Sequence, residues 1–394
     1  MKFALVSEVV PPSWSGQAVL IRRLLTGLDP RAVCLLTSDQ GRYSGEHIEP
    51  LRTRYHRLPP VQIRYLSKTN KWLFGASALF GAVVGIARRT VQIVRIARRE
   101  RCRGLVAFTG DFHDLPAALV ASRLLRLPLY VYMCDYYSYR EPYEPARRRL
   151  SPILERLVVG GATRVICGTE TLAAALADRY DIEPAVIHHP ADLSLYGDRP
   201  LPRDAPAGRE LRIVYTGTIY HAQLDAVQNL LAAIELLAQR RAVLHVYSGQ
   251  SEAELRARGL TGRLAIHPHA IAETIAAVQQ AADLLFLPLA FESEYPEVIR
   301  TSAPMKFGEY LAAGGPILVH APADAFVSEY CRRHACAVVV DDPDPRRLVE
   351  AIEALCEDSE LRGRLIHNAQ ERALSDFSID VARARFGELL NLGT

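Results

Sequence analysis

At 394 residues the chain is longer than one ordinary hydrophobic core fills, so two domains of similar size are expected. Nearly half of the residues are apolar, 23% are charged and the net charge is only +3, which excludes a disordered chain and a general nucleic-acid binder. The seven cysteines are scattered, odd in number and free of any C-x-x-C pair, a pattern of reduced thiols rather than of a disulfide framework or a zinc site.

In chain order, Lys2 is followed by a buried-strand pattern over residues 3–6 and then by Ser7 and Glu8, which does not read as a signal peptide. A turn, Pro11-Pro12-Ser13-Trp14-Ser15-Gly16, leads into a helix over 18–28, and 32–37 gives a second strand. A strand, a Gly turn and a helix open a doubly wound α/β domain, whose ligands bind at the carboxyl ends of its strands. Without G-x-G-x-x-G a dinucleotide site is unsupported, and Gly16 is either a plain turn or a point of ligand approach. Residues 72–87 are uncharged and are followed by seven arginines between 88 and 103. That run falls short of the ~20 apolar residues that span a bilayer. It fits a core helix with a solvated far end, or a segment lying on an anionic membrane face.

The strand at 104–108 ends in Thr109-Gly110-Asp111-Phe112-His113-Asp114, and the strand at 129–133 ends in Cys134-Asp135. His113 reads as a buried structural histidine or as an Asp-flanked ligand group, and 136–145 as an exposed loop. Strand, helix and strand follow at 164–167, 170–180 and 185–187. Residues 198–209 hold three prolines and mixed charge, the clearest linker in the chain. This divides it into a domain over 1–197, a linker at 198–210, a second domain over 211–375 and a terminal helix at 376–394 expected to return to the first domain.

The second half repeats the alternation. Strands are expected at 211–215, 242–247, 264–267, 284–287, 317–319 and 337–340, with helices at 224–237, 271–281 and 345–356. The first strand ends in Thr216-Gly217-Thr218, the third in His267-Pro268-His269, and the fourth in an acidic loop over 291–297. Next comes Thr301-Ser302-Ala303-Pro304-Met305-Lys306-Phe307-Gly308-Glu309-Tyr310, a Pro turn entering a short helix over 305–313. Lysine is rarer than arginine in this chain by roughly ten to one, so Lys306 is chosen against the bias, as a point contact to phosphate oxygens would require. The helix start adds unpaired N–H groups, and Glu309 follows on the same face.

Two Rossmann-like, doubly wound α/β halves, a Pro-rich linker and a late Lys–Glu helix resemble a GT-B glycosyltransferase of the retaining family 4 type. The residues that carry the resemblance best run from Ala282-Asp283-Leu284-Leu285-Phe286-Leu287-Pro288 to Glu309-Tyr-Leu-Ala-Ala-Gly-Gly-Pro316. Ser15-Gly16, Asp111 to His113, His188 to Tyr196 and Tyr215-Thr216-Gly217 are similar more loosely. The chain departs at Thr301, where the family has its first motif glutamate, and at Thr218, where it has an arginine. Lys306 matches a divergent branch with Pro-x-Lys…Glu-Tyr.

The resemblance implies two halves facing a central cleft and sugar transfer from a nucleotide-diphosphate sugar to a hydroxyl acceptor, with retention and without a metal. It implies no cofactor beyond that co-substrate. Gly16, Gly217, Ser302, Lys306 and the amides through Phe307 are assigned to the diphosphate, Glu309 to the ribose, and Glu297 and Thr301 to the donor sugar. His267 and His269 are assigned to the base, His113 to the reacting region and Asp135 to the acceptor. A glycan or lipid-linked acceptor, no nucleic acid, and membrane contact through 71–103 at the inner face of the membrane in the cytoplasm complete the expectation. A sugar-nucleotide epimerase and a non-catalytic partner of an active transferase are the alternatives.

Overall fold

The computed structural model describes residues 1–13, 15–38, 50–59, 61, 71–139, 145–197, 209–238 and 240–391, with backbone alone at 71–76 and 145–146. The chain forms two compact units, one of Met1–His188 with Arg383–Thr394 and one of His189–Ala382. The division falls ahead of the Pro-rich stretch at 198–210, because residues 189–196 are built onto the second unit. His189 Nδ1 donates to Ala303 O (2.9 Å), Ala191 N to Phe377 O (2.7 Å) and Tyr196 Oη to Gln279 Oε1 (2.6 Å). Residues 198–208 lie outside the described residues.

The first unit runs β1 (Phe3–Ser7), α1 (Gly16–Leu25), β2 (Val33–Thr37), β3 (Arg54–Arg57), α2 (Lys71–Arg99), β4 (Gly104–Phe108), α3 (Asp114–Leu125), β5 (Leu129–Met133), α4 (Pro145–Gly161), β6 (Arg164–Cys167), α5 (Glu170–Tyr180) and β7 (Ala185–Val186). Its parallel sheet has the order β3-β2-β1-β4-β5-β6-β7. The central strands are buried on both faces and so read as unbroken apolar runs. The second unit runs β8 (Leu211–Thr216), α6 (Leu224–Leu236), β9 (Ala242–Tyr247), α7 (Glu252–Ala257), β10 (Leu264–His267), α8 (Ala272–Gln280), β11 (Leu284–Pro288), α9 (Pro296–Thr301), α10 (Lys306–Ala312), β12 (Ile317–His320), α11 (Phe326–His334), β13 (Val338–Val340), α12 (Pro345–Glu357) and α13 (Ser359–Asp376). Its sheet has the order β10-β9-β8-β11-β12-β13. Alternate side chains feed two cores, with Val214, Leu285 and Val319 on one face and Ile213, Phe286 and Leu318 on the other. A final helix, α14 (Ile379–Leu389), starts in the second unit and belongs to the first from Arg383, whose Nε donates to Arg23 O (2.8 Å).

Local chemistry sets several element ends. Ser15 caps α1 by accepting from Ala18 N (3.3 Å), and Thr169 caps α5 through Leu172 N (3.1 Å). Three elements differ from the sequence reading. The uncharged run at 72–87 is only the front of a helix of 29 residues, which continues through the arginines with Ile93 and Ala97 buried. Tyr136, Tyr137 and Ser138, expected in an exposed loop, are buried, and 140–144 lie outside the described residues. Residues 296–301, expected as loop and turn, close into α9.

Helix α2 is joined to α3 by a fully buried ion pair, Arg89 Nε to Asp114 Oδ1 at 2.9 Å. Thr90 Oγ1 reaches Ile86 O (2.8 Å) beside it. A buried charge stripped of its partner is costly, whereas an apolar replacement of both is tolerated. Arg89→Met is therefore expected to destabilise the chain by about 3–5 kcal/mol in thermal denaturation, and Arg89→Met with Asp114→Leu to recover most of the loss. Equal losses in the single and double variants would contradict this.

Candidate functional site

In each sheet the winding direction reverses beside its first strand, between β1 and β4 in the first unit and between β8 and β11 in the second. The loops at the carboxyl ends of those strands diverge, which opens the crevice where such folds take ligands. In the second unit that point is formed by Gly217, which follows β8, and by the side chain of Lys306 from α10. Gly217 has φ +120°, a region that favours glycine, and its N–H donates to Tyr247 O (2.8 Å). A Cβ there would lie 3.1 Å from Lys306 Nζ, so the missing side chain is what lets the ammonium lie over the turn.

Lys306 is half-buried, and its Nζ donates to Tyr215 Oη (2.9 Å) and lies 4.2 Å from the centre of that ring. Tyr215 Oη in turn donates to Thr218 O (2.8 Å), so the phenol is held as an acceptor toward the ammonium. Among the described residues Lys306 makes no ion pair. Burial pushes its amine down from 10.5 to about 8, with the Glu309 carboxylate acting in the opposite sense. Burial raises both phenols beside it, Tyr215 and Tyr310, so they stay neutral donors.

A buried polar network backs the lysine. Tyr310 Oη accepts from Thr216 N (2.9 Å), and Gln279 Nε2 donates to Thr216 Oγ1 (3.1 Å) and to Glu309 Oε2 (3.3 Å). Tyr196 Oη closes the chain on Gln279 Oε1. Helix α10 is itself wedged from behind. A Cβ on Gly308 would meet Phe377 Cδ1 at 3.0 Å and His189 O at 3.3 Å, and Phe307 is edge-on to Phe326, Tyr330 and Phe377. The residues that carry Lys306 and Glu309 are thus fixed by packing, as a preorganised site requires.

In the first unit the switch point holds Glu8, Gly110 and Asp111. A Cβ on Gly110 would lie 2.9 Å from Glu8 Cβ. Asp111 Oδ1 accepts from His113 N (2.8 Å) and pairs with His113 Nδ1 (2.9 Å). Burial alone would raise this carboxyl, but the His113 contacts hold it below the usual carboxylate range. With Nδ1–H turned to the carboxylate, Nε2 is the lone-pair nitrogen of the neutral ring. That edge is enclosed beneath α2: a Cβ on Gly85 would lie 2.6 Å from Nε2, and Val61 is beside it.

Within the second unit the structure brings Gly217, Lys306 and Glu309 together, and the other expected residues have their own surroundings. Ser302 N and Phe307 N, expected to face a phosphate, donate to Ile299 O (3.3 Å) and Pro304 O (2.9 Å), because the last turn of α9 and the Pro turn offer their own carbonyls first. The Phe307 ring lies in the core, and α10 has only seven residues. Thr301 is buried with its hydroxyl on Glu297 O (2.8 Å), while Glu297 is half-buried in the first turn of α9. Gly16 opens α1 behind the Ser15 cap, and Asp135 is exposed after β5. His267, at the end of the edge strand β10, stacks on Tyr247 at 4.3 Å and bonds His245 (3.0 Å), while His269 is exposed. Sequence reasoning did not assign Tyr215, Tyr310, Gln279 or Tyr196 to the site. The one available signal was Gln279, a polar residue on the apolar spacing of α8. Among the described residues no group of three or more His, Cys, Asp or Glu side chains is arranged to hold a metal ion.

Residues 210–358 match the family model described as glycosyl transferases group 1. A D-inositol 3-phosphate glycosyltransferase of Salinispora tropica is 28% identical over 260 residues, 57% of this chain, and the chain spans about half the length of that curated relative. Among solved structures, sucrose-phosphate synthase from Thermosynechococcus elongatus superposes with a TM-score of 0.70 at 15% identity, covering 100% of this chain and 98% of that one. The Anabaena protein HepE in complex with UDP superposes at 0.68 and 15%, with complete coverage of both chains. WaaG, a glycosyltransferase of lipopolysaccharide biosynthesis, superposes at 0.60 and 16%, covering 98% and 99%. Two parallel-sheet α/β units superposing over the whole of these structures give the chain the GT-B fold, and the glycosyl transferases group 1 match falls on the second of them.

Proposed function

We propose that the protein is a glycosyltransferase that moves a hexosyl group from a nucleotide-diphosphate sugar to a hydroxyl acceptor. The observation that carries the reading is the desolvated Lys306 ammonium, held over Gly217 at the switch point of the second sheet with no ion pair among the described residues. Departure of the nucleotide builds negative charge on the diphosphate, and a fixed cation in a water-poor setting stabilises that charge more than the ground state. Tyr215 keeps Nζ aimed at the turn, and a diphosphate oxygen arriving there accepts from the two N–H bonds that Tyr215 does not use. Glu309, steadied by Gln279, accepts from ribose hydroxyls.

The finer reading is a metal-free transfer with retention, in bacterial glycan or glycolipid assembly at the inner face of the membrane. The first unit supplies Asp135 toward the acceptor and the Asp111–His113 pair as its polar support. HepE is described with UDP and with UDP-glucose, which makes those the first probes for this chain.

Calorimetry with UDP, UDP-glucose and GDP- and dTDP-sugars tests the donor site. Lys306→Met is expected to weaken the preferred nucleotide about ten- to a hundredfold, and Lys306→Arg to fail as well, since a planar fork does not fit over Gly217. Unchanged affinity in Lys306→Met for every nucleotide would refute the assignment. Nucleotide release that requires an acceptor marks a transferase, isomerisation of the sugar an epimerase, and no binding a non-catalytic member. A second expectation concerns pH. The free amine loses its charge as pH rises through about 8, whereas a bound diphosphate holds the proton on. Affinity should therefore be level below that pH and fall above it, with proton uptake on binding near pH 8. A flat profile from pH 7 to 10 would contradict the role.

A further inference from the structure

Nine of the fourteen large apolar side chains that the described structure leaves exposed sit on three helices of the first unit, α2, α3 and α4. These helices pack on one another as one layer. Their outward positions recur at helical spacing. Leu79, Phe80 and Val83 face solvent on α2, Leu124 on α3, and Ile153 and Leu157 on α4, with Phe80 71% exposed. A side chain of that size left open to water costs burial energy unless something covers it, and nine on adjoining helices form a patch rather than scatter.

The exposed charges on the same helices all have one sign. Arg88, Arg95, Arg98, Arg149 and Arg156 are exposed among the apolar positions. The three helices carry only two carboxylates, and both are buried inside the unit: Asp114 on Arg89, and Glu155 under Ser138 N (2.7 Å) and Tyr180 Oη (2.6 Å). The outer surface of this layer is thus apolar and cationic with no exposed acid on the three helices.

We propose that the α2–α3–α4 face docks on a bilayer containing anionic lipid. Its apolar side chains enter the acyl boundary, while its arginines extend to the headgroup phosphates. Charge complementarity selects this occupant. A second copy presenting the same face would set arginine against arginine across a two-fold contact. The segment Ser77–Arg99 of α2 is long and apolar enough to cross a membrane by composition, but it is built into the layer. Ala78, Ala82, Ile93 and Ala97 are buried, and Arg89 is locked to Asp114. The helix therefore lies along the surface of the bilayer. This surface belongs to the first unit and the nucleotide contacts to the second, so the donor-site reading and this one stand or fall independently, while the membrane location proposed above rests on this one.

Flotation with vesicles of phosphatidylcholine alone, and of phosphatidylcholine with phosphatidylglycerol, tests the proposal on the full chain. The protein should float with the anionic vesicles, not with the neutral ones, and progressively less as salt rises. Phe80→Ser with Val83→Ser and Leu124→Ser should lower the bound fraction at least tenfold, with melting temperature and UDP affinity unchanged, because all three positions are exposed. Arg149→Glu with Arg156→Glu should lower it by at least tenfold at low salt, at roughly fivefold per arginine lost. Lys306→Met should float like the parent, which separates this surface from the donor site. Indifference of the parent to anionic vesicles would overturn the proposal. So would an oligomer that the triple serine variant dissolves, since the face would then be a contact between copies.

Discussion

A positive charge taken partly out of water is what the second unit is built to hold. Lys306 has given up solvent for one phenol oxygen and the face of the same ring, and the deficit shows in its lowered pKa. Three features keep it there. Gly217 lacks the Cβ that would collide with it, Tyr215 is committed to Thr218 so that its oxygen points lone pairs at the ammonium, and α10 is wedged by Gly308 against Phe377 and His189. Each is unremarkable alone. Together they keep a cation under-solvated at the place where a parallel sheet changes winding direction, a condition that an anion bound there would relieve.

Much of the fold was legible because buried parallel strands leave unbroken apolar runs, and the central strands of both sheets show them. What escaped has physical causes. Strand β3 reads Arg-Tyr-His-Arg, an edge strand with no apolar run to mark it. Helix α2 outran its apolar segment because arginine is a good helix former and the buried spacing continued beneath the charges at Ile93 and Ala97. Helix α4 opens with three arginines in its first turns and has Pro152 inside, so neither composition nor periodicity advertised it.

The candidate site was legible in its charged members and opaque in its neutral ones. Lys306 could be found because it breaks the arginine habit of the chain, and Glu309 because it follows one turn later. The amides of Ser302 and Phe307 could not be judged, since whether an N–H is free depends on carbonyls that only the folded turn supplies. Tyr215 and Tyr310 looked like ordinary strand and helix residues, and their oxygens acquire a role only when distant backbone groups close around them. In the first unit the Asp111–His113 pair formed as the spacing allows, yet the packing of Gly85 encloses the histidine edge that the sequence left open.

The wedge behind α10 also decides how this unit can be cut out and carried elsewhere. His189 at its front end meets Ala303 just ahead of α10, and Ala191 meets Phe377 and Ser378 near its back end, so two remote stretches of chain clasp each other behind the helix that bears the lysine. An excised piece limited to residues 210–358 would keep the ammonium, its tyrosine and its glycine, yet lose both arms of the clasp. Grafts and minimal fragments need their termini set at 189 and beyond 378, or the charge will swing loose on an unbraced helix.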